Sequence, residues 1–125
     1  MKETKIILDP YTFLPSYGES EVFILFKNNE LIVDIYYDGQ EIEEKKTIIF
    51  KNTFFHIVSS FPGVEIYSIP YNNDNYSSLV EFEESELKRK WENYFDKKYK
   101  LRHLKISFLS VNKSIEVICE DLIVN

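Results

Sequence analysis

The sequence predicts an α+β domain: a mostly antiparallel, curved sheet of six to eight strands with one main helix packed on it. Three observations carry this expectation. The chain has ten Phe, nine Tyr and no Ala, a composition that suits pleated, half-buried surface and lacks the best helix former. Several segments alternate apolar and polar residues with the period of a strand. One segment, around Leu87–Phe95, has the helical period and matching end signals. With 125 residues, 44% of them hydrophobic, the chain reads as one domain, 1–125, with enough apolar side chain for a core.

Ile6–Leu8 reads as a short strand, stopped by Pro10, Pro15 and Gly18. Glu21–Tyr37 is the clearest hairpin. Asn28-Asn29 is a two-residue turn, because Asn tolerates positive φ. This turn sets Lys27 against Glu30, Phe26 against Leu31, Ile24 against Val33 and Val22 against Ile35. One face is then wholly apolar, and a slip of one residue would mix it with Lys27 and Asp34. The opposite face is mixed: Leu25 sits opposite Ile32, with Phe23, Asp34 and Tyr36 nearby, and a second layer, the helix being the candidate, is expected to cover that patch.

Asp38-Gly39 turns the chain into a strand from about Ile42 to Lys51. Asn52-Thr53 interrupts it. Phe54–Ser60 has β-rich composition but helical spacing at Phe54, Ile57, Val58 and Phe61, and the favoured reading is a strand continuing past a bulge. Val64–Ile69 suits a short edge strand, and residues 70–78 form a polar loop. The main helix spans about residues 85–97. Ser85 is its N-cap, Glu83, Glu84 and Glu86 gather at its positive end, Lys97 and Lys98 at its negative end, and Leu87, Trp91, Tyr94 and Phe95 form its apolar stripe. A last hairpin turns near Val111–Lys113 and closes the sheet. Leu104, Ile106 and Phe108 share the core face with Ile115, Val117 and Cys119. His103, Lys105, Ser107, Glu116, Ile118 and Glu120 take the other. Apolar parity switches to Leu122 and Val124 after Glu120-Asp121, which marks a bulge or the end of pairing.

The formal net charge is −6. That charge repels phosphate backbones and anionic lipid, so neither nucleic acid nor membrane is an expected partner. Cys119 is the single cysteine, so no internal disulfide forms, which suits a reducing, cytoplasmic compartment. The N-terminal stretch is too acidic and too short in apolar residues for a signal peptide. Three glycines leave no phosphate-binding loop or dinucleotide fingerprint. His56 lies in an apolar strand, as structural histidines do, and register puts Cys119 on the core face and His103 on the opposite one, so no metal site, cofactor or Cys–His nucleophile is expected. Glu120 falls opposite His103 or Lys105. A His–Glu pair there reads as a cross-strand ion pair, because no third orienting group is visible.

Two acidic clusters remain, Glu41, Glu43 and Glu44, and Glu81, Glu83, Glu84 and Glu86. Both alternate with Lys or Arg, as solvated faces do. Beside the second lies a Tyr-Asn loop, whose composition combines large contact area with adaptable hydrogen bonding. Tyr71, Asn73, Asp74, Tyr76, Glu83, Glu84 and Glu86 are therefore the candidate partner-binding residues.

The segment Leu79-Val-Glu-Phe-Glu-Glu-Ser-Glu-Leu87 with Trp91, then His103-Leu-Lys-Ile-Ser-Phe108 and Ser114-Ile-Glu-Val-Ile-Cys-Glu-Asp121, resembles small bacterial α+β proteins of the toxin-immunity type. Ile48–Ile57 is similar to the strand that precedes this pattern. The likeness covers about half the chain, rests on packing motifs and transfers no site residue. It implies a bacterial inhibitor or immunity module. The expected function is thus a non-enzymatic cytoplasmic binding protein, monomer or homodimer, that neutralises a basic partner protein. The alternatives are a small enzyme with a carboxylate or His site in a sheet-lined pocket, and a structural or homo-oligomeric module joined through a sheet edge.

Overall fold

The computed structural model describes residues 4–15, 18–60, 78–108 and 111–125. Its elements are β1 (Thr4–Leu8), a single 3-10 turn (Pro10–Thr12), β2 (Glu21–Lys27), β3 (Glu30–Asp38), β4 (Glu43–Ser60), β5 (Leu79–Phe82), α1 (Glu86–Tyr94), β6 (Arg102–Phe108) and β7 (Lys113–Val124). The strands form one seven-stranded sheet in the order β1-β5-β6-β7-β4-β3-β2. Every neighbouring pair is antiparallel. The fold is α+β with a small helix. The final hairpin does not close the sheet: among the described residues β1 and β2 are free edges. β6–β7 is inserted between β5 and β4, in the middle of the sheet. The Val64–Ile69 strand and the 70–77 loop fall outside the described residues.

One cluster of buried residues gathers Val22, Leu31 and Ile35 from one end of the sheet with Leu79, Leu104 and Phe108 from the other. Adjacent strands lie about 4.8 Å apart, so a flat sheet of this order would spread these residues over more than about 20 Å. The sheet therefore curls round them. Ile7, Leu8, Phe13 and Leu14 from the N-terminal segment pack against the same cluster. We call this the inner face.

The β2–β3 turn sits where Asn28 and Asn29 take φ of 53° and 62°, the pair of positive angles of a type I′ turn. It fixes the register expected from the sequence, Val22↔Ile35 through Lys27↔Glu30. The 54–60 segment is strand. β4 runs through Asn52 without a break, with a bulge between Thr53 and Phe55. The parity switch in β7 falls opposite Asn52, whose φ is 49°. Pairing does not end there: it continues through Phe50↔Leu122 and Ile48↔Val124. β5 was not foreseen as a strand, because four residues are too few to show a period.

The helix is shorter than the expected 85–97. Its C-terminus is a Schellman motif: Lys97 N–H donates to the Glu92 carbonyl at 2.7 Å and Asp96 N–H to Asn93 at 3.0 Å, with Asp96 at φ 51°. Lys97 and Lys98 thus lie beyond the last turn. Tyr94 is 77% exposed and drops out of the expected stripe. Trp91 packs on Phe55 (ring centroids 6.2 Å) and Phe95 on Phe54 (5.0 Å). The bulge is what presents two consecutive Phe side chains to the helix.

Candidate functional site

The helix rests on the outer face, over β6. Its N-cap Ser85 and the buried His103 meet there. Ser85 Oγ lies 2.5 Å from His103 Nδ1, and His103 Nε2 lies 2.7 Å from Glu116 Oε2. The Glu116 carboxylate only accepts, so Nε2 carries a proton. In the neutral ring Nδ1 then accepts from the Ser85 hydroxyl, whose oxygen accepts the Lys88 N–H at 3.0 Å. The Phe82 ring covers the imidazole at 4.5 Å. The sequence places Glu120 opposite His103 or Lys105. The observed register is instead His103↔Ile118 and Lys105↔Glu116, because the hairpin centre lies nearer the N-terminus than Val111–Lys113. Glu120 accepts instead from the Asn52 side chain.

Ser, His and Glu in one hydrogen-bonded chain is the arrangement that activates a nucleophile. Here it serves the fold. Ser85 is fully buried, so no electrophile reaches its oxygen as described. That oxygen is also committed to the first turn of α1. The chain fastens the helix N-terminus to the middle of the sheet.

A second polar cluster ties β5, β6 and β7 together. Arg102 binds Glu81 with two hydrogen bonds, 3.0 and 2.7 Å, and Asp121 with one of 3.1 Å. The hydrogen bonds from Arg102 hold the Glu81 carboxyl below the usual carboxylate range, against a smaller opposing effect of burial. Cys119 lies opposite Arg102 in the ladder. Burial pushes its thiol up to about 12, the reverse of what a nucleophile needs. Cys119 and His103 lie on opposite faces, as expected. Among the described residues no group of three His, Cys, Asp or Glu side chains is placed to hold a metal ion.

The first acidic cluster lines a shallow cleft of about 650 Å³, where Glu41 and Glu44 meet Phe13, Leu14 and Ile42. His103 is not among the lining residues, so the cleft and the imidazole form no joint site. Of the candidate binding residues, Glu83, Glu84 and Glu86 are exposed at the start of α1. Glu81 is not available in the same way, being held by Arg102. Tyr71, Asn73, Asp74 and Tyr76 lie outside the described residues.

The expectation that the helix covers the Phe23–Leu25–Ile32 patch is wrong. The helix is held over β6 by Ser85 and over the second half of β4 by Trp91 and Phe95. Phe23 and Leu25 stay 51% and 56% exposed. Register extends this patch further than the hairpin alone suggests. Leu25 lies opposite Ile32, Ile32 opposite Ile49 and Ile49 opposite Ile123. The result is one apolar row across four adjacent strands, about 14 Å long. Phe23 flanks it, stacked edge-on with Tyr36 at 5.5 Å. Ile49 and Ile123 were legible as alternating residues, but their place beside Ile32 depends on strand order.

Comparison with known protein families, curated proteins and solved structures finds no match. Among the described residues no helix is long and apolar enough to cross a membrane.

Proposed function

We propose that the chain is a protein-binding module that docks a basic partner on the outer sheet face. Its sharpest form is an inhibitor or immunity protein. The observation that carries this reading is the apolar row Leu25–Ile32–Ile49–Ile123 on the outer face, whose ends Leu25 and Ile123 are 56% and 40% exposed. Contiguous apolar surface of this kind is costly to leave in water and marks interaction sites. The net charge of −6 adds long-range attraction for a cationic protein and sets the encounter rate more than the final affinity. Glu83, Glu84 and Glu86 contribute to that steering from the start of α1. The immunity reading rests on the sequence resemblance and the acidic charge.

The test compares the natural chain with an Ile32→Glu/Ile49→Glu variant as bait in a lysate of the source cells, followed by kinetics with the purified captured protein. A basic protein held by the natural chain and lost by the variant is expected. Its association rate should fall as salt rises and fall again on Glu83→Lys/Glu84→Lys. An acidic partner, or one that both baits retain, refutes the reading.

A further inference from the structure

Strand β2 has the sequence Glu-Val-Phe-Ile-Leu-Phe-Lys, and this segment is complementary to itself when reversed. Centred on Ile24, an antiparallel copy sets Glu21 against Lys27, Val22 against Phe26, Phe23 against Leu25 and Ile24 against itself. We propose that two copies of the chain join through β2 in this register, about a two-fold axis at Ile24, to form one sheet continuous across the dimer.

The backbone supports the same register independently. In a two-residue hairpin the pair flanking the turn, here Lys27 and Glu30, exchanges both backbone hydrogen bonds, and the bonding pairs then alternate. Glu21, Phe23, Leu25 and Lys27 thus direct their N–H and C=O groups to β3. Val22, Ile24 and Phe26 direct theirs to the outer edge, where among the described residues no strand pairs. Pairing Val22 with Phe26 and Ile24 with Ile24 of the second copy joins these outward groups in about six hydrogen bonds. A register moved by two residues sets Lys27 or Glu21 against an apolar side chain and leaves both charges unmatched.

Natural sheets protect a free edge with a proline, a bulge or an inward-pointing charge. β2 has none of these: its pairing with β3 shows no register shift, and its charges stand only at its two ends. Those two charges select a second copy over an unrelated strand. An isologous interface needs each surface to match itself, and Glu21 and Lys27 do so at both ends at once. Phe23 of one copy meets Leu25 of the other on the outer face, so the two apolar rows merge.

Sedimentation velocity of the full chain from about 1 to 100 μM, a range that spans the weaker specific associations, tests the proposal. The natural chain is expected to reach twice the monomer mass. Glu21→Lys and Lys27→Glu should each weaken self-association by about ten- to a hundredfold, because each sets like charges opposite one another twice per dimer. Mixing the two variants should restore association, since the mixed pair has Glu opposite Lys at both ends. Both positions are exposed, and circular dichroism checks that the variants fold. A natural chain that stays monomeric overturns the proposal. So does a dimer that survives both single changes, or a mixture that fails to associate. Ile32 and Ile49 are untouched in these variants, so failure here leaves the partner-docking reading standing and the reverse also holds.

Discussion

Replacing Ser85 by alanine removes two interactions with one atom. The Lys88 N–H loses its cap, which in helices generally costs about 1 kcal/mol. His103 Nδ1, in a ring only 4% exposed, loses its partner, and a buried unpaired polar group costs about 1–3 kcal/mol. The sum is about 2–4 kcal/mol, or about 10 °C in Tm for a domain of this size. Urea denaturation gives the first number and a thermal scan the second. A double-mutant cycle separates the terms. With His103 already changed to Leu, only the cap remains to be lost, so Ser85→Ala should then cost about 1 kcal/mol. Equal costs in the two backgrounds would show that Ser85 and His103 do not act together, and the helix anchor would be disproved.

The Glu81–Arg102 pair gives a pH prediction. The Glu81 carboxyl is held below its usual range, so its contribution is fully present above the unfolded-state value and is lost as pH falls through the lower folded value. Arg102→Leu should cost about 1–3 kcal/mol near neutrality, discounted for partial exposure, and should flatten the loss of stability in acid. A variant whose acid limb matches the natural chain's contradicts this. Cys119 should resist a disulfide exchange reagent at mildly alkaline pH and react fully once urea unfolds the chain; rapid native labelling would show that its burial is wrong. Gly39→Ala should destabilise by about 1–3 kcal/mol, because a Cβ there would sit 2.6 Å from the Ile42 carbonyl oxygen. An unchanged urea midpoint would mean that the β3–β4 turn yields more easily than its geometry implies.

Local signals were legible in proportion to how local their causes are. Asn28-Asn29 fixed the whole β2–β3 register, because a two-residue turn leaves no freedom. The core face of β6 and β7 followed from alternation alone. The helix end did not, since Asp96 in the left-handed region depends on a hydrogen-bond pattern that many sequences can make. Glu116 escaped as the partner of His103, because a register shift of two residues leaves every side chain on its own face and so does not show in the alternation. Ser85 was recognised as a cap, but its contact with His103 joins elements that only tertiary packing brings together. The uncovered face was misjudged for the same reason. Apolar residues at Phe23 and Leu25 imply that something covers them, and sequence does not say whether that cover belongs to the same chain.

The long β4–β7 ladder has a consequence for the order of folding. Residues near the middle of the chain, Ile48–Lys51, pair with Asp121–Val124, while β3–β4 and β6–β7 are sequence-local hairpins. Local hairpins close small loops and form quickly, whereas a seam between distant segments must first pay for closing a large one. During synthesis the β2–β3–β4 meander therefore emerges with its β7 side open until residue 124 has been made. In that interval Phe54 and Phe55 have no β7 beside them. This is the stage at which a chaperone, or a second nascent copy, has the most to hold.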